Sequence, residues 1–299
     1  MDTGSVAFTD GSAGGVQGAV AGDDRIYPAT RWVLAVITPF LVVAFGMLYF
    51  WPDDTGRLFA WTIKPRITPI LMGAGYITGA YFFARVFLET RWHRVQVGFL
   101  PITAFAASMG LATVLHWDRF NHHHTSFYAW TLLYAITPFI VPGLWLRNRK
   151  ADPGTPEPDD VAIPVPVRWA VGVAGAVVLG TGVLLFLFPQ AMIAIWAWTL
   201  TPLTARVVGG WLTLPGILCL GIAGDSRWSA ARLAVQSQAL GFLLILIGIA
   251  RAWSDFNQAR PLTWVFVGGM GGMFVGVVAL YVTLEARHRR HRPVGAAGA

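Results

Sequence analysis

Eight apolar runs constrain this sequence more than any other feature, because about 20 residues of helix are needed to cross the hydrocarbon core of a bilayer. Backbone groups in hydrocarbon need hydrogen-bond partners within their own segment, so each run is predicted to be a helix. Strands of a membrane barrel would be about half as long. The sequence therefore predicts an all-α integral membrane protein with eight transmembrane helices, near residues 32–51, 67–88, 95–115, 127–146, 169–188, 204–223, 233–250 and 262–283.

The composition supports the same fold class, since 55% of the 299 residues are hydrophobic and only 12% are charged. Eight such runs leave room for tails, one linker and short loops, and none for a soluble catalytic domain. The net charge of +7 does not indicate nucleic-acid binding, because the basic residues lie beside the ends of the apolar runs, where cytoplasmic Lys and Arg are found. The expected partners are the lipid bilayer and anionic lipids at its cytoplasmic face.

The sequence contains an internal repeat. Arg31-Trp32 at the head of the first run recurs as Arg168-Trp169, 137 residues later. After a gap of one residue the offset becomes 136. The four apolar runs of each half return the chain to its starting side, so the halves are predicted to be parallel repeats, related by a pseudo-twofold axis along the membrane normal. Further matching pairs are Pro52 and Pro189, Trp61 and Trp198, Thr68 and Thr204, Gly73 and Gly209, Trp117 and Trp253, and Asn121 and Asn257.

The repeat divides the chain into five segments. Residues 31–150 and 168–287 are the two predicted four-helix repeats. Residues 151–167 form a Pro-rich, acidic linker that is expected to be extended and solvated. Residues 1–30 are expected to be a disordered tail, and residues 288–299 a basic tail.

The distribution of basic residues predicts the orientation. They are about twice as numerous on the side of the tails and linker as on the opposite side, which predicts that both termini are cytoplasmic. Arg is strongly preferred over Lys, as in GC-rich bacterial genomes. The expected location is therefore a bacterial inner membrane.

The apolar runs carry little that could perform chemistry. No carboxylate lies in the middle of a run, where a proton or sodium carrier would need one. All seven histidines lie outside the runs, which argues against a haem held between facing helices. The sequence has no phosphate-binding loop, His-Glu-x-x-His or Gly-x-Ser-x-Gly motif. A catalytic activity, and a cofactor to support one, are therefore not expected.

The outer loop of the first half holds the densest set of potential metal ligands. Imidazole and carboxylate side chains together bind zinc and other transition ions, although no established ligand spacing is present. Solvated histidines at the membrane surface are the simpler interpretation. The residues concerned are His116, Asp118, His122, His123 and His124.

Tryptophans near the outer ends of the runs have two interpretations. They can anchor short helices at the membrane surface, or line an apolar outer groove for a lipid or a hydrophobic small molecule. The groove candidates are Trp61, Trp117, Trp196, Trp198 and Trp253.

The last run contains Gly268, Gly272 and Gly276 at four-residue spacing. A stripe of small residues lets two helix backbones approach closely. The stripe is predicted to pack against another helix of the bundle, with homodimerisation as the alternative.

From these features we expect a polytopic inner-membrane protein that is not itself catalytic. It would be a subunit of a larger membrane assembly or a binder of an apolar ligand or lipid at the outer face. A permease with its path between the repeats is one alternative. A metal-dependent membrane enzyme that uses the outer histidines is another.

Overall fold

The computed structural model describes residues 23–291, and within this range the chain is helical and forms no strand. All of the α-helices except two short ones, Thr55–Leu58 and Pro189–Ile195, are long and apolar enough to cross a membrane, which confirms the prediction of eight spanning helices. The helices are α1 (Pro28–Phe45), α2 (Thr55–Leu58), α3 (Ile67–Leu88), α4 (Phe99–Leu115), α5 (Thr125–Asn148), α6 (Val165–Leu187), α7 (Pro189–Ile195), α8 (Pro202–Gly224), α9 (Trp228–Arg251) and α10 (Pro261–His291).

Local sequence signals explain several helix starts. α8 begins with Pro202 at its first position, where the missing N–H is not needed. The Thr201 hydroxyl accepts a hydrogen bond from the amide of Thr204 at 3.2 Å, and the Thr204 hydroxyl accepts one from the amide of Thr201 at 2.7 Å. These reciprocal bonds satisfy amides that the first turn leaves free. α10 likewise starts with Pro261.

Helix packing follows the same order in the two halves. α1 packs against α3 and α4 against α5 in the first half, while α6 packs against α8 and α9 against α10 in the second. Between the halves, α3 packs against α9 and α4 against α8. The inner helices α3, α4, α8 and α9 therefore form the centre of the bundle. α10 is the most exposed span.

The segment before α1 is ordered from residue 23 onward, which corrects the prediction of a disordered tail up to residue 30. The amide of Asp24 donates to the carbonyl of Ala151 at 2.9 Å, and the amide of Trp92 donates to the carbonyl of Asp24 at 2.8 Å. Asp24 has a φ of 52°, a left-handed conformation that Asp tolerates better than most residues. The rest of the predicted tail, residues 1–22, lies outside the described residues.

The central linker is docked on the helices, contrary to the prediction of a solvated segment. The amide of Ile163 donates to the carbonyl of Ser226 at 2.8 Å, and the amide of Trp228 donates to the carbonyl of Val161 at 3.0 Å. Val161 and Ile163 are buried in one apolar cluster with Trp228. Burial of these two apolar side chains explains why a Pro-rich segment is held in place.

Residues 288–291, at the start of the predicted basic tail, continue α10. His288 Nδ1 donates to the carbonyl of Asp159 in the linker at 2.9 Å. Residues 292–299 lie outside the described residues. We call the side of the bundle that holds residues 23–27, 89–98, 152–164 and 225–227 the linker side, and the other side the loop side.

Candidate ligand cavity

An apolar cavity of about 220 Å³ lies in the middle of the bundle. Each of the eight spanning helices contributes to its wall. The inner helices provide most of the wall, including Phe82 on α3, Phe105 on α4, Trp211 on α8 and Phe242 on α9. An engineered cavity of about 150 Å³ is large enough to bind benzene. This cavity therefore has room for a small aromatic ring or a short hydrocarbon segment.

The cavity wall contains no Asp, Glu, Lys, Arg or His side chain. Several of its hydroxyl groups are used within the protein. The hydroxyls of Tyr76 and Tyr134 bond to each other at 2.9 Å, and Thr68 Oγ1 accepts from the indole N–H of Trp198 at 2.9 Å. Ser237 donates to a carbonyl of its own helix at 2.8 Å. The cavity thus resembles a typical site for an apolar ligand, with few polar groups.

The bulk of Trp211 is accommodated by a glycine on the facing helix. A Cβ added to Gly75 would lie 2.2 Å from the Trp211 ring, so any side chain there would force the ring to move. The ring centroid of Trp211 lies 4.4 Å from that of Phe105 and 5.0 Å from that of Tyr76. Trp211 therefore shapes the wall between the two halves.

The tryptophans predicted to line an outer groove are mostly buried instead, which corrects that prediction. Trp61 and Trp196 are 3% exposed and Trp198 is fully buried. Trp61 packs edge to face on Phe120 at 5.1 Å, under the loop that follows α4. The loop covers these side chains because burying a large aromatic ring stabilises the fold.

Of the five groove candidates, only Trp198 lines the central cavity. Trp117 is 48% exposed and Trp253 is partly buried, so these two lie near the loop-side surface. No outer groove brings the five tryptophans together.

The predicted metal ligands are not assembled into a site. No group of three or more His, Cys, Asp or Glu side chains able to hold a metal occurs among residues 23–291. His122 Nε2 donates to the carbonyl of Trp117 at 2.9 Å, and His124 Nδ1 accepts from the amide of Ser126 at 3.3 Å. Asp118 pairs with Arg119 at 3.0 Å, while His123 is exposed.

His116 has a different role from the one predicted. Arg206 Nη1 donates to its Nε2 at 2.7 Å, which occupies the lone pair that a metal would use. Burial and the positive charge of Arg206 both lower the pKa of His116 below its ordinary value. His116 therefore joins the end of α4 to the start of α8.

The glycine stripe of α10 faces open space in the single chain. A Cβ added to Gly268, Gly272 or Gly276 would meet nothing within 4 Å. This corrects the prediction that the stripe packs against another helix of the same bundle. The close helix contacts involve other glycines. A Cβ at Gly209 would lie 2.6 Å from the carbonyl oxygen of Gly182.

A buried cluster of ionic groups lies on the linker side and was not predicted. His93 is 1% exposed and lies between two carboxylates, with Nδ1 2.6 Å from Asp24 Oδ2 and Nε2 3.0 Å from Glu157 Oε1. Burial alone would lower the pKa of His93, but bonds to Glu157 and Asp24 outweigh it and raise the pKa. Arg94 binds Glu157 through two nitrogens, at 2.7 and 2.8 Å.

A second ionic group holds the start of the linker. Arg227 is 8% exposed and donates to Asp152 through two nitrogens at 2.7 and 2.8 Å, and also to Asp225 at 2.7 Å. Burial alone would raise the pKa of Asp152, but hydrogen bonds from Arg227, Gly154 and Gln96 lower it to about 2. These charged pairs fix the linker against the helix ends.

Sequence reasoning missed the cavity because its wall residues look like ordinary core residues. One signal was available: Gln238 lies within the apolar run at residues 233–250. It also lines the cavity. A polar side chain inside a span is a candidate for function.

The eight apolar helices indicate a polytopic α-helical membrane protein, and an apolar cavity lies between them. Comparison with protein-family models, with curated proteins and with solved structures found no match for this chain.

Proposed function

We propose that the chain consists of two parallel four-helix repeats, residues 31–150 and 168–287, related by a pseudo-twofold axis along the membrane normal. Backbone contacts of the loops support this. The amide of Asn121 donates to the carbonyl of Ala60 at 2.8 Å, and the amide of Asn257 donates to the carbonyl of Ala197, also at 2.8 Å. Asn257 corresponds to Asn121 in the repeat, and Ala197 corresponds to Ala60.

Glycine contacts between helices support the same arrangement. A Cβ at Gly73 would lie 3.0 Å from the backbone nitrogen of Tyr49, and a Cβ at Gly209 would lie 3.0 Å from the backbone nitrogen of Phe186. Gly209 corresponds to Gly73, and Phe186 corresponds to Tyr49. Equivalent glycines thus allow equivalent helices to approach closely.

The cavity wall is itself built from corresponding positions. Equivalent residues of the two halves face the cavity in pairs, as expected if the pseudo-twofold axis passes through it. Examples are Leu41 and Val178, Phe82 and Leu218, and Ile102 and Gln238.

We propose that the protein binds an apolar small molecule or lipid segment in this cavity, within the membrane and not at its outer face. The observation that carries the proposal is an apolar cavity without acid, base or Arg in its wall, at the junction of the two halves. Binding is proposed instead of catalysis because the wall offers no general base that could activate its hydroxyl groups.

A small apolar photolabel, 3-trifluoromethyl-3-phenyldiazirine, tests this function with the full chain in lipid vesicles. We expect carbene insertion at cavity residues such as Phe82 and Phe242, mapped by peptide mass spectrometry. Gly79→Leu should reduce this labelling at least fivefold, because Gly79 lines the cavity and its nearest non-local neighbour is the flexible end of Leu41 at 3.4 Å.

The matched control is Gly180→Leu, at a glycine whose Cβ would meet nothing within 4 Å. It should leave cavity labelling unchanged. Labelling confined to lipid-facing residues, or equal in both variants, would reject the proposed function.

A permease with its path between the repeats would use the same cavity. Uptake of a labelled apolar substrate into proteoliposomes distinguishes the two, because a binder retains its ligand without net transport. We give preference to binding, since no carboxylate lies in the middle of any of the eight spans within residues 23–291 for coupling to an ion gradient.

We propose a second function, membership of a larger membrane assembly, on the basis of α10. Its open glycine stripe suits a close contact with a second copy of this chain or with another membrane protein. With Cys219 replaced by Ser, a cysteine introduced by Gly272→Cys should cross-link to a partner helix. A cysteine introduced by Gly180→Cys on α6 is the control.

We further propose that the linker side faces the cytoplasm of a bacterium and contacts anionic lipids. Exposed Arg287, Arg289 and Arg290 at the end of α10 support this, because such residues are attracted by anionic headgroups.

A further inference from the structure

Two hydrogen-bonding groups in the cavity wall have no partner in the described structure. The indole Nε1 of Trp211 is buried and makes no hydrogen bond. The side-chain amide of Gln238, a partly buried residue, forms no hydrogen bond within the described residues, whereas Gln236, two residues earlier on the same helix, donates to the hydroxyl of Tyr281 at 2.8 Å. A glutamine side chain of this helix therefore has a hydrogen-bond partner outside the cavity and none inside it.

The position of Gln238 makes this unusual. It lies 10 residues after the start of α9 and 13 before its end, so it is about 15 to 20 Å along the helix axis from either end. Water is scarce at that depth, and a polar group without a partner is costly there. The Gln238 amide therefore lowers the stability of the folded protein unless a ligand supplies its missing hydrogen bonds.

Comparison of corresponding positions argues against a structural role. Gln238 corresponds to Ile102 and Trp211 corresponds to Gly75, and all four residues line the cavity. The same helix positions are therefore filled by an apolar side chain and by glycine in the other half. The fold does not require a hydrogen-bonding group at either position.

The chemistry of the two groups defines the ligand. The indole offers one N–H donor, and the amide offers two N–H donors and one carbonyl acceptor. The surrounding wall is apolar and holds no charge to neutralise a carboxylate, phosphate or ammonium group. A charged ligand group would be unstable there, while a pure hydrocarbon would leave both groups unsatisfied.

We propose that the cavity binds an uncharged, mainly hydrocarbon molecule through a carbonyl oxygen, which accepts a hydrogen bond from the Gln238 amide with the Trp211 indole as a second donor. This rests on the proposed function, since it names the class of ligand for the same cavity.

Two nearly isosteric probes test the carbonyl directly: acetophenone and α-methylstyrene, in which a CH₂ group replaces the carbonyl oxygen. Each is used to compete with diazirine photolabelling of the full chain in vesicles, at equal concentration within the membrane. We expect acetophenone to compete about tenfold more effectively, since one net hydrogen bond of about 1.4 kcal/mol corresponds to a factor of ten.

Gln238→Leu should reduce this preference to less than about threefold while α-methylstyrene competes as before. Trp211→Phe should reduce it partly. Gln236→Leu, the same substitution two residues earlier on the same helix and outside the cavity wall, is the matched control and should keep the full preference. Gln238→Leu should also unfold at a temperature equal to or higher than that of the wild type without ligand, because it removes an unsatisfied amide.

The possible failures are distinguishable. If neither probe competes and the cavity is not labelled, the proposed function itself is wrong. If both probes compete equally in the wild type, or if Gln238→Leu keeps the preference, the cavity binds apolar molecules but the carbonyl inference is overturned.

Discussion

Nδ1 of His93 lies 2.6 Å from Oδ2 of Asp24, so the segment before α1 is tied to the turn between α3 and α4. The amide of His93 also donates to the Asp24 carboxylate, at 3.0 Å. On its other edge His93 meets Glu157 from the linker and Ser229 from α9. One buried imidazole thus joins four parts of the chain that are far apart in sequence.

The first prediction concerns the pH dependence of stability. The pKa of His93 is raised in the folded protein, so its ionic contribution is fully present below the pKa of the unfolded state and is lost as pH rises through the higher folded pKa. We expect the melting temperature of the wild type to exceed that of His93→Gln most at pH 5.5. The difference should shrink by more than half at pH 9.

Thermal unfolding of both proteins in the same detergent from pH 5.5 to 9 measures this difference. His123→Gln is the control, because His123 is an exposed loop residue. A constant difference between wild type and His93→Gln across that range would mean that the buried imidazole stays neutral.

The second prediction compares two ion pairs. Arg227 and Asp152 have side chains only 9% and 11% exposed, and breaking a buried pair leaves an uncompensated charge. Asp152→Asn should therefore lower the free energy of unfolding by about 2 to 4 kcal/mol. Asp54→Asn, in the exposed pair with Arg57 at 3.8 Å, should cost less than about 1 kcal/mol.

Chemical denaturation at pH 7 measures both effects. The Asp152 contribution is present above the pKa of the unfolded carboxyl and is lost as pH falls toward its folded pKa of about 2. At pH 3 the wild type and Asp152→Asn should therefore differ less than at pH 7. Equal costs for the two variants at pH 7 would show that the buried pair of Arg227 and Asp152 contributes no more to stability than the exposed pair.

The number and approximate bounds of the spanning helices followed from the sequence, because run length and the lack of charge are local properties. Docking of the linker did not follow, because Val161 and Ile163 lie among prolines, acids and a few other apolar residues. Their burial depends on Trp228, which is distant in sequence. Tertiary contacts of this kind leave no periodic pattern to detect.

The site was harder to predict than the fold for a related reason. A cavity is defined by what the packed side chains fail to fill, and no residue type signals that in advance. Trp198 was selected for an outer groove but is buried and lines the interior. Gln238 carried a usable signal, because an amide in a span is rare, but its lack of a partner is known only from the packed structure.

The third prediction is the orientation of the chain in a bacterial membrane. A reporter fused after Ala299 should be active only as a cytoplasmic reporter, and one inserted in the loop at residues 121–124 only as a periplasmic reporter, because basic residues favour the cytoplasmic side. A phosphatase and a fluorescent protein at each position give the two readouts. If both fusions report the same side, the chain cannot cross the membrane eight times with both termini in the cytoplasm.

The last prediction separates glycines that pack within the bundle from those that do not. A Cβ at Gly209 would lie 2.6 Å from the carbonyl oxygen of Gly182 and 3.0 Å from the backbone nitrogen of Phe186. Backbone atoms cannot move aside as a flexible side chain can, so Gly209→Leu must separate α8 from α6. We expect it to lower the melting temperature strongly or to prevent folding, since overpacking costs about 1–3 kcal/mol or more.

Gly272→Leu adds the same side chain where a Cβ meets nothing within 4 Å, so it should leave the melting temperature of the dilute monomer within about one degree. If α10 packs against a second copy or a partner helix, the same Gly272→Leu change should reduce that association, measured by cross-linking in the native membrane. A Gly272→Leu monomer as unstable as Gly209→Leu would place α10 against its own bundle, contrary to the packing described above.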